Sequence, residues 1–302
     1  MLENAISYLE YLVERGGPDQ DDYRELAQTF DVIFRQDFTI QNGVSTRIHR
    51  THSLDDFFSN HSDTFRTTSS MQGFAFSKPH GYAGDFEIIE RIYSMSNSHK
   101  SNIIKWDAFF HYGSAARAVR NRSNLLSELI AELQPSKFLS VGCGPALDVV
   151  GAASLFQKQP KIHLLDNDSN AISRAKINTQ SCKEIFDTIE YHHKNALRFR
   201  SVDTFDLIWC SGLFDYLNDK TAVFLLKKLK SYMAPNATIA IGNFSHDNPS
   251  RSYMEIVGEW FLIHRSREDL MRIGVAAGFE LDTMSSKADE TGLNIFLVAR
   301  NH

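Results

Sequence analysis

From Pro135 onward the chain alternates short apolar runs with helical patterns, and few architectures accommodate that alternation. The runs fall at residues 138–141, 162–165, 189–192, 207–209, 239–241, 281–284 and 295–298. Helical periodicity lies between them at 146–156, 171–177, 222–233 and 267–277. Strands linked through helices predict a parallel, doubly wound sheet with helices on both faces. The last two runs are joined without a helical pattern, so they are expected to form an antiparallel pair. The reading is an α/β fold with seven strands, the last antiparallel, preceded by a mostly helical region.

That region is read as residues 1–134, a helical lid or substrate unit, against 135–302 for the sheet. Leu2, Ile6, Leu9 and Val13 repeat at helical spacing, as do Leu26, Phe30 and Ile33. Residues 36–76 show poor periodicity and are expected to be irregular or to hold short helices, without a strand. Residues 86–93 read as a helix that Asp85 can cap, and residues 103–133 as one long helical stretch. A formal charge of −5 argues against nucleic acid as a partner. Three cysteines without a CxxC pair argue for reduced thiols. Glu3 and Glu10 near the start, and no apolar run of about 18 residues, make a signal peptide and a membrane span unexpected. A cytoplasmic protein acting on a small molecule is the expectation, with self-association left open and no metal.

The run at 138–141 leads into Gly142-Cys143-Gly144-Pro145 and then a helical pattern. Glycines let a ligand approach the backbone, and strand, turn and helix in that order are how α/β sheets bind nucleotide-like groups. Asp166 ends the next run, 22 residues after Gly144, where a carboxylate can accept ribose hydroxyls. Leu147 stands where a dinucleotide fingerprint wants glycine or alanine. Asp168 can touch the ligand or cap the following helix, and the Asn195 amide can read an adenine edge or make a turn. Ser211-Gly212-Leu213-Phe214-Asp215-Tyr216 follows the fourth run, where an aromatic can cover adenine or substrate. Asp215 is as readily a solvated loop charge. Ser266 to Asp269 fits a capping box.

Val141–Ala146 together with Asp166 resembles the first two motifs of class I S-adenosylmethionine-dependent methyltransferases, whose Rossmann-like sheet has seven strands. Lys78-Pro79-His80-Gly81-Tyr82-Ala83-Gly84-Asp85 with Tyr93, and Trp260-Phe261-Leu262-Ile263-His264-Arg265, resemble one bacterial subfamily more narrowly. Its members are assigned to making the 3-hydroxypalmitic acid methyl ester signal. The resemblance implies S-adenosylmethionine as cofactor and methyl transfer to a small acceptor, the carboxylate of a hydroxy fatty acid in the subfamily. The donor-binding set is Gly142, Cys143, Gly144, Pro145, Asp166, Asn167, Asp168, Asn195, Ala196, Ser211, Gly212 and Phe214, with Asp85 from the 78–85 lid.

Tyr82, His264 and Arg265 are the expected catalytic set, with Tyr82 beside the methyl group and Arg265 holding an acidic substrate by a paired contact, against packing for the first two and a plain surface salt bridge for Arg265. Glu255, Arg120 and Arg122 are further charges that could reach the site, against a plain structural role for each. A carboxylate acceptor needs no base, whereas a hydroxyl or ammonium does. N- or O-methylation of another specialised metabolite is therefore the alternative. An NAD-dependent oxidoreductase and a non-catalytic donor-binding module stand behind it.

Overall fold

The computed structural model describes residues 2–301. They fall into two compact units, one running up to Arg117 and including Asp247–Leu262, the other Ala118–His246 together with the chain from Ile263 onward. The first holds all but the last turns of the N-terminal region drawn from the sequence, plus a later excursion of the chain. Among the described residues, no helix is long and apolar enough to cross a membrane.

The first unit packs short helices around a core in which Leu9, Leu26, Phe30, Ile33, Phe57, Phe65 and Trp106 are buried. Helix Leu2–Glu14 and helix Tyr23–Asp37 supply the two amphipathic faces expected from their spacing. The stretch expected to lack strands contains a hairpin instead: β1 (Phe38–Gln41) pairs antiparallel with β2 (Val44–Arg47). Asn42 and Gly43 connect them, both at positive φ (50° and 76°). Asn-Gly is the dipeptide that a two-residue hairpin turn prefers, because both central residues must adopt that conformation. A buried pair, Arg251 and Glu255 (Nε to Oε1, 2.9 Å), adjoins it, and Arg251 donates to the Gly43 carbonyl and the Ser45 hydroxyl. Glu255 thus takes a structural role. The single helix expected over 103–133 is broken at Gly113, with Ile104–Tyr112 before it and Ser114–Leu133 after it. Gly113 leaves helical geometry at ψ 140°, where its N–H caps the preceding turn.

The second unit is the expected sheet. Its strands are β3 (Lys137–Val141), β4 (Lys161–Asp166), β5 (Thr188–His193), β6 (Phe205–Cys210), β7 (Met233–Phe244), β8 (Met284–Ala288) and β9 (Asn294–Arg300). They lie in the order β5-β4-β3-β6-β7-β9-β8, with β9 antiparallel to both neighbours. Residues 281–283 of the sixth apolar run form a 3₁₀ turn, and the strand begins at Met284. Leu281 is exposed, so that part of the run is not a core segment. Both faces of the sheet are covered. Helices Asp219–Lys230 and Arg267–Ala276 bury Leu225, Leu229, Leu270 and Ile273 on one side. On the other, helices Ser114–Leu133 (from Ala118), Leu147–Ala152 and Ser169–Asn178 bury Leu126, Ile130, Val149 and Ala175. Asn218 caps Asp219–Lys230, and the capping box of Ser266 and Asp269 opens Arg267–Ala276 as its spacing predicted.

The chain runs outward from β3 to β5, then returns across β3 to β6. Order reverses between β3 and β6, and open α/β sheets bind ligands outside the carboxyl ends of strands at such a point. Gly43→Val forces a β-branched residue into left-handed geometry and is expected to cost the first unit roughly 1–2 kcal/mol. Urea unfolding followed by tryptophan fluorescence reads this, and an unchanged midpoint would contradict the turn assignment.

Candidate functional site

Four loops converge at the carboxyl ends of β3, β4, β5 and β6. The first, 142–146, starts with Gly142 and Gly144 at φ 66° and 52°, conformations that L side chains resist. Its amides are almost all used within the protein. Gly142 and Cys143 donate to the Leu165 carbonyl, and Ala146 donates to the Cys143 carbonyl. Gly144 donates to Asp166 Oδ2 at 2.9 Å, while Asp166 Oδ1 accepts from the Asp168 amide at 2.9 Å. The Asp166 carboxylate thereby ties the glycine loop to its own loop, with lone pairs left on each oxygen. Burial raises its pKa, and the amides of Asp168 and Gly144 pull it back.

A Cβ built on Gly144 would meet nothing within 4 Å, whereas one on Gly142 would touch Leu213 at 3.4 Å. Open space therefore stands over Gly144, beside Asp166. That is a cradle for a ligand carrying vicinal hydroxyls.

The helix after this loop is not arranged for phosphate. Asp148, in its first turn, accepts from the Val149 amide at 2.9 Å and from Trp209 Nε1 at 2.8 Å. A carboxylate already occupies the positive end of the helix dipole, where a pyrophosphate would otherwise bind. Asp148 went unnoticed in the sequence; its only signal was an acid just inside the helix start.

Asn167 is exposed, and its carbonyl takes the His193 ring at 3.1 Å. Asp168 caps Ser169–Asn178, as one of its two readings predicted. Asn195 spends Oδ1 on the Leu197 amide, the turn role, and Ala196 packs half-buried against the core. Ser211 is buried, and a Cβ on Gly212 would come within 3.1 Å of Arg122 Nη1, which brings that arginine to the fourth loop. Asn178, unforeseen, donates to the Pro145 carbonyl at 2.9 Å and holds the first loop from behind. Cys143 is packed into the core, and burial pushes its thiol well above the ordinary range.

Three expected site residues take other roles, and two more are placed without one. Phe214 is wholly buried in the core, so it cannot cover a ligand. Asp85 caps Phe86–Tyr93 in the first unit, with Oδ1 accepting two amides, and its carboxylate serves the helix rather than the donor. Arg265 is 2% exposed and all five of its N–H groups are satisfied. They go to the Phe214 carbonyl, Asn243 Oδ1, the Leu217 carbonyl and, twice, Asp219 Oδ1. No fork remains to grip an acidic substrate. His264 is enclosed and stands edge-on to Phe244. Tyr82, in the first unit, is 39% exposed.

Asp215 is no solvated loop charge. It is buried, accepts from the Phe244 amide at 2.7 Å, and receives the Ile263 amide on its carbonyl at 2.8 Å. Burial raises its pKa to about 7, against the pull of the Phe244 amide and the charges of Arg122 and Arg265.

A family described as a methyltransferase domain matches residues 134–274. No curated protein matches the chain. Among solved structures, a protein from Bordetella parapertussis, described as a possible exported protein, aligns at TM-score 0.62 and 16% identity, covering 72% of this chain and 79% of that one. A candidate O-methyltransferase from Nostoc punctiforme aligns at TM-score 0.54 and 15% identity, covering 99% and 95%. Magnesium protoporphyrin IX methyltransferase from Synechocystis, solved with S-adenosylhomocysteine bound, aligns at TM-score 0.54 and 12% identity, covering 77% and 100%. At these identities the likeness is one of fold.

Arg265→Ala strands buried acceptors and is expected to lower stability by about 3–5 kcal/mol. Arg265→Lys should recover little, because an ammonium offers three donors without the fork. Thermal unfolding reads both, and full recovery by lysine would refute the brace. For Asp215 the folded pKa lies above the unfolded value of about 4. The folded state therefore keeps a proton that the unfolded state loses, and stability falls as pH rises from about 4 to about 7. Asp215→Asn should flatten that part of the stability–pH curve; a curve unchanged by the substitution would count against it.

Proposed function

Since residues 134–274 match a methyltransferase-domain family, we propose that the chain transfers the methyl group of S-adenosylmethionine to a small-molecule acceptor, and that the acceptor group is the carboxylate of a hydroxy fatty acid. The observation that carries the donor is the Asp166–Gly144 clamp beside the open Cβ position of Gly144. Asp166 holds the ribose hydroxyls on its remaining lone pairs, and the glycine loop supplies room rather than amide donors. Asn195 and the 211–213 turn line the nucleoside's other side. The carboxylate of Asp148 at the helix start disfavours a dinucleotide in the same place.

S-adenosylmethionine supplies an electrophilic methyl on a sulfonium. The chain's own residues align an acceptor with that methyl and keep water out, and orientation of this kind can be worth about 7–11 kcal/mol. A covalent detour through a thiol is disfavoured, because burial pushes Cys143 well above its usual range and Cys210 to about 12. Direct transfer is the remaining route, and an ionised carboxylate enters it without a base. The hydroxy-acid assignment is supported by the resemblance at residues 78–85 and 260–265. Arg265 lends it no support, since its donors are internally spent.

Calorimetry with S-adenosylmethionine and S-adenosylhomocysteine tests the donor. Asp166→Ala and Gly144→Val should each weaken binding by at least about tenfold, or 1.4 kcal/mol. Absence of binding by the unmodified chain would end the proposal. With a methyl-labelled donor, label should move to 3-hydroxy fatty acids rather than to a panel of amines and alcohols; the opposite result would reassign the acceptor while leaving the donor site standing.

A further inference from the structure

We propose that His163, Glu190 and His192 form a binding site for a divalent transition metal, zinc above all, that fastens the edge strand β5 to β4. No ligand spacing in the sequence announces it, because His163 lies far from the other two. Strand pairing creates it: His163 sits opposite Glu190, and His192 two residues further along β5 projects to the same face. His163 Nδ1 and His192 Nε2 are 3.1 Å apart. Glu190 Oε2 lies 3.7 Å from the first and 3.8 Å from the second. A point equidistant from three atoms so spaced is about 2.1 Å from each, the usual Zn–N and Zn–O bond length.

The chemistry of the set agrees. Two imidazoles and one carboxylate are a zinc-type donor group that leaves a fourth position for water. Burial lowers the pKa of both histidines, which keeps them neutral at neutral pH and their lone pairs free. With hydrogens on Nε2 of His163 and Nδ1 of His192, both facing nitrogens can bind without releasing a proton. The rings are also held in place. Phe205 packs across His163 at 4.9 Å, and Phe199 across His192 at 5.1 Å. The nearby Lys137 is paired with Asp203 at 2.5 Å, which offsets its charge.

The location suggests what an ion would do. β5 is an edge strand, and residues 194–204 return from it to β6 without a helix. An ion there joins β5 to the strand that ends in Asp166, where a covering helix would otherwise supply the tether. Without metal, the two nitrogens share one N–H.

The test uses the full chain without a histidine tag, stripped with a chelator and titrated calorimetrically with zinc chloride. One ion per chain is expected, and zinc should raise the thermal midpoint. His192→Gln should weaken binding on the order of 100-fold and Glu190→Gln about tenfold. Glu190 is largely exposed, so Glu190→Gln keeps the test valid if the histidine variant folds poorly. Cobalt substitution should give the intense visible bands of a four-coordinate ion in the unmodified chain only. No uptake of zinc, or the same affinity and stoichiometry in both variants, would overturn the site and leave a proton-sharing histidine pair.

Discussion

The carboxylate of Asp166 is the constraint on which the loops at the carboxyl edge of this sheet depend. Parallel pairing of β3 with β4 carries it to within 2.9 Å of the Gly144 amide, although 22 residues separate them in the chain. One half-buried acid thus holds two loops at once, through amides that would otherwise lack partners. The remaining loop amides close on Leu165 and Cys143, so the turn offers a ligand space rather than donors. Asp148 reinforces this by placing negative charge where an anion would bind. A neutral ribose suits that environment and a pyrophosphate does not.

A second network governs the carboxyl end of β7. Arg265 ties together the 214–217 turn, Asn243 and Asp219, while Asp215 holds the Phe244 amide and the Ile263 amide. In the sequence, this arginine looks like a group waiting for substrate and this aspartate like a loop charge. In the structure both are buried, and burial of a charge demands that each donor or acceptor be answered internally. Their chemistry is spent on holding the strand end and its loops in register. Arg265 is left with no donor to hold a ligand.

Legibility followed the range of the interactions involved. Helix caps such as Asp85, Asp168 and Ser266 with Asp269 were readable because the partner amide lies two or three residues away. The alternation was readable chiefly because the inner strands, such as β3 and β6, are buried on both faces and so are mostly apolar, whereas most residues of the edge strands β5 and β8 are half-buried or exposed. The Asn42-Gly43 hairpin carried a local signal too, but short polar strands with one anchored arginine lacked the apolar alternation that marks strands. Gly113 broke a helix whose periodicity on either side is unbroken. Arg265 misled because a five-donor side chain reads the same whether its partners are a substrate or four backbone and side-chain atoms distant in sequence.

By itself, then, the sequence determined the alternation of strand and helix, the glycine turn after β3, and the acid 22 residues later. These depend on periodicity, on the missing Cβ of glycine and on short-range spacing, all of which are written along the chain. The tertiary structure alone decided which of the polar residues are committed. It buried Arg265, Asp215 and Asp148, turned Phe214 into the core, and set His163 opposite Glu190 across two paired strands. Burial and cross-strand register are properties of segments far apart in sequence, and no local pattern encodes them.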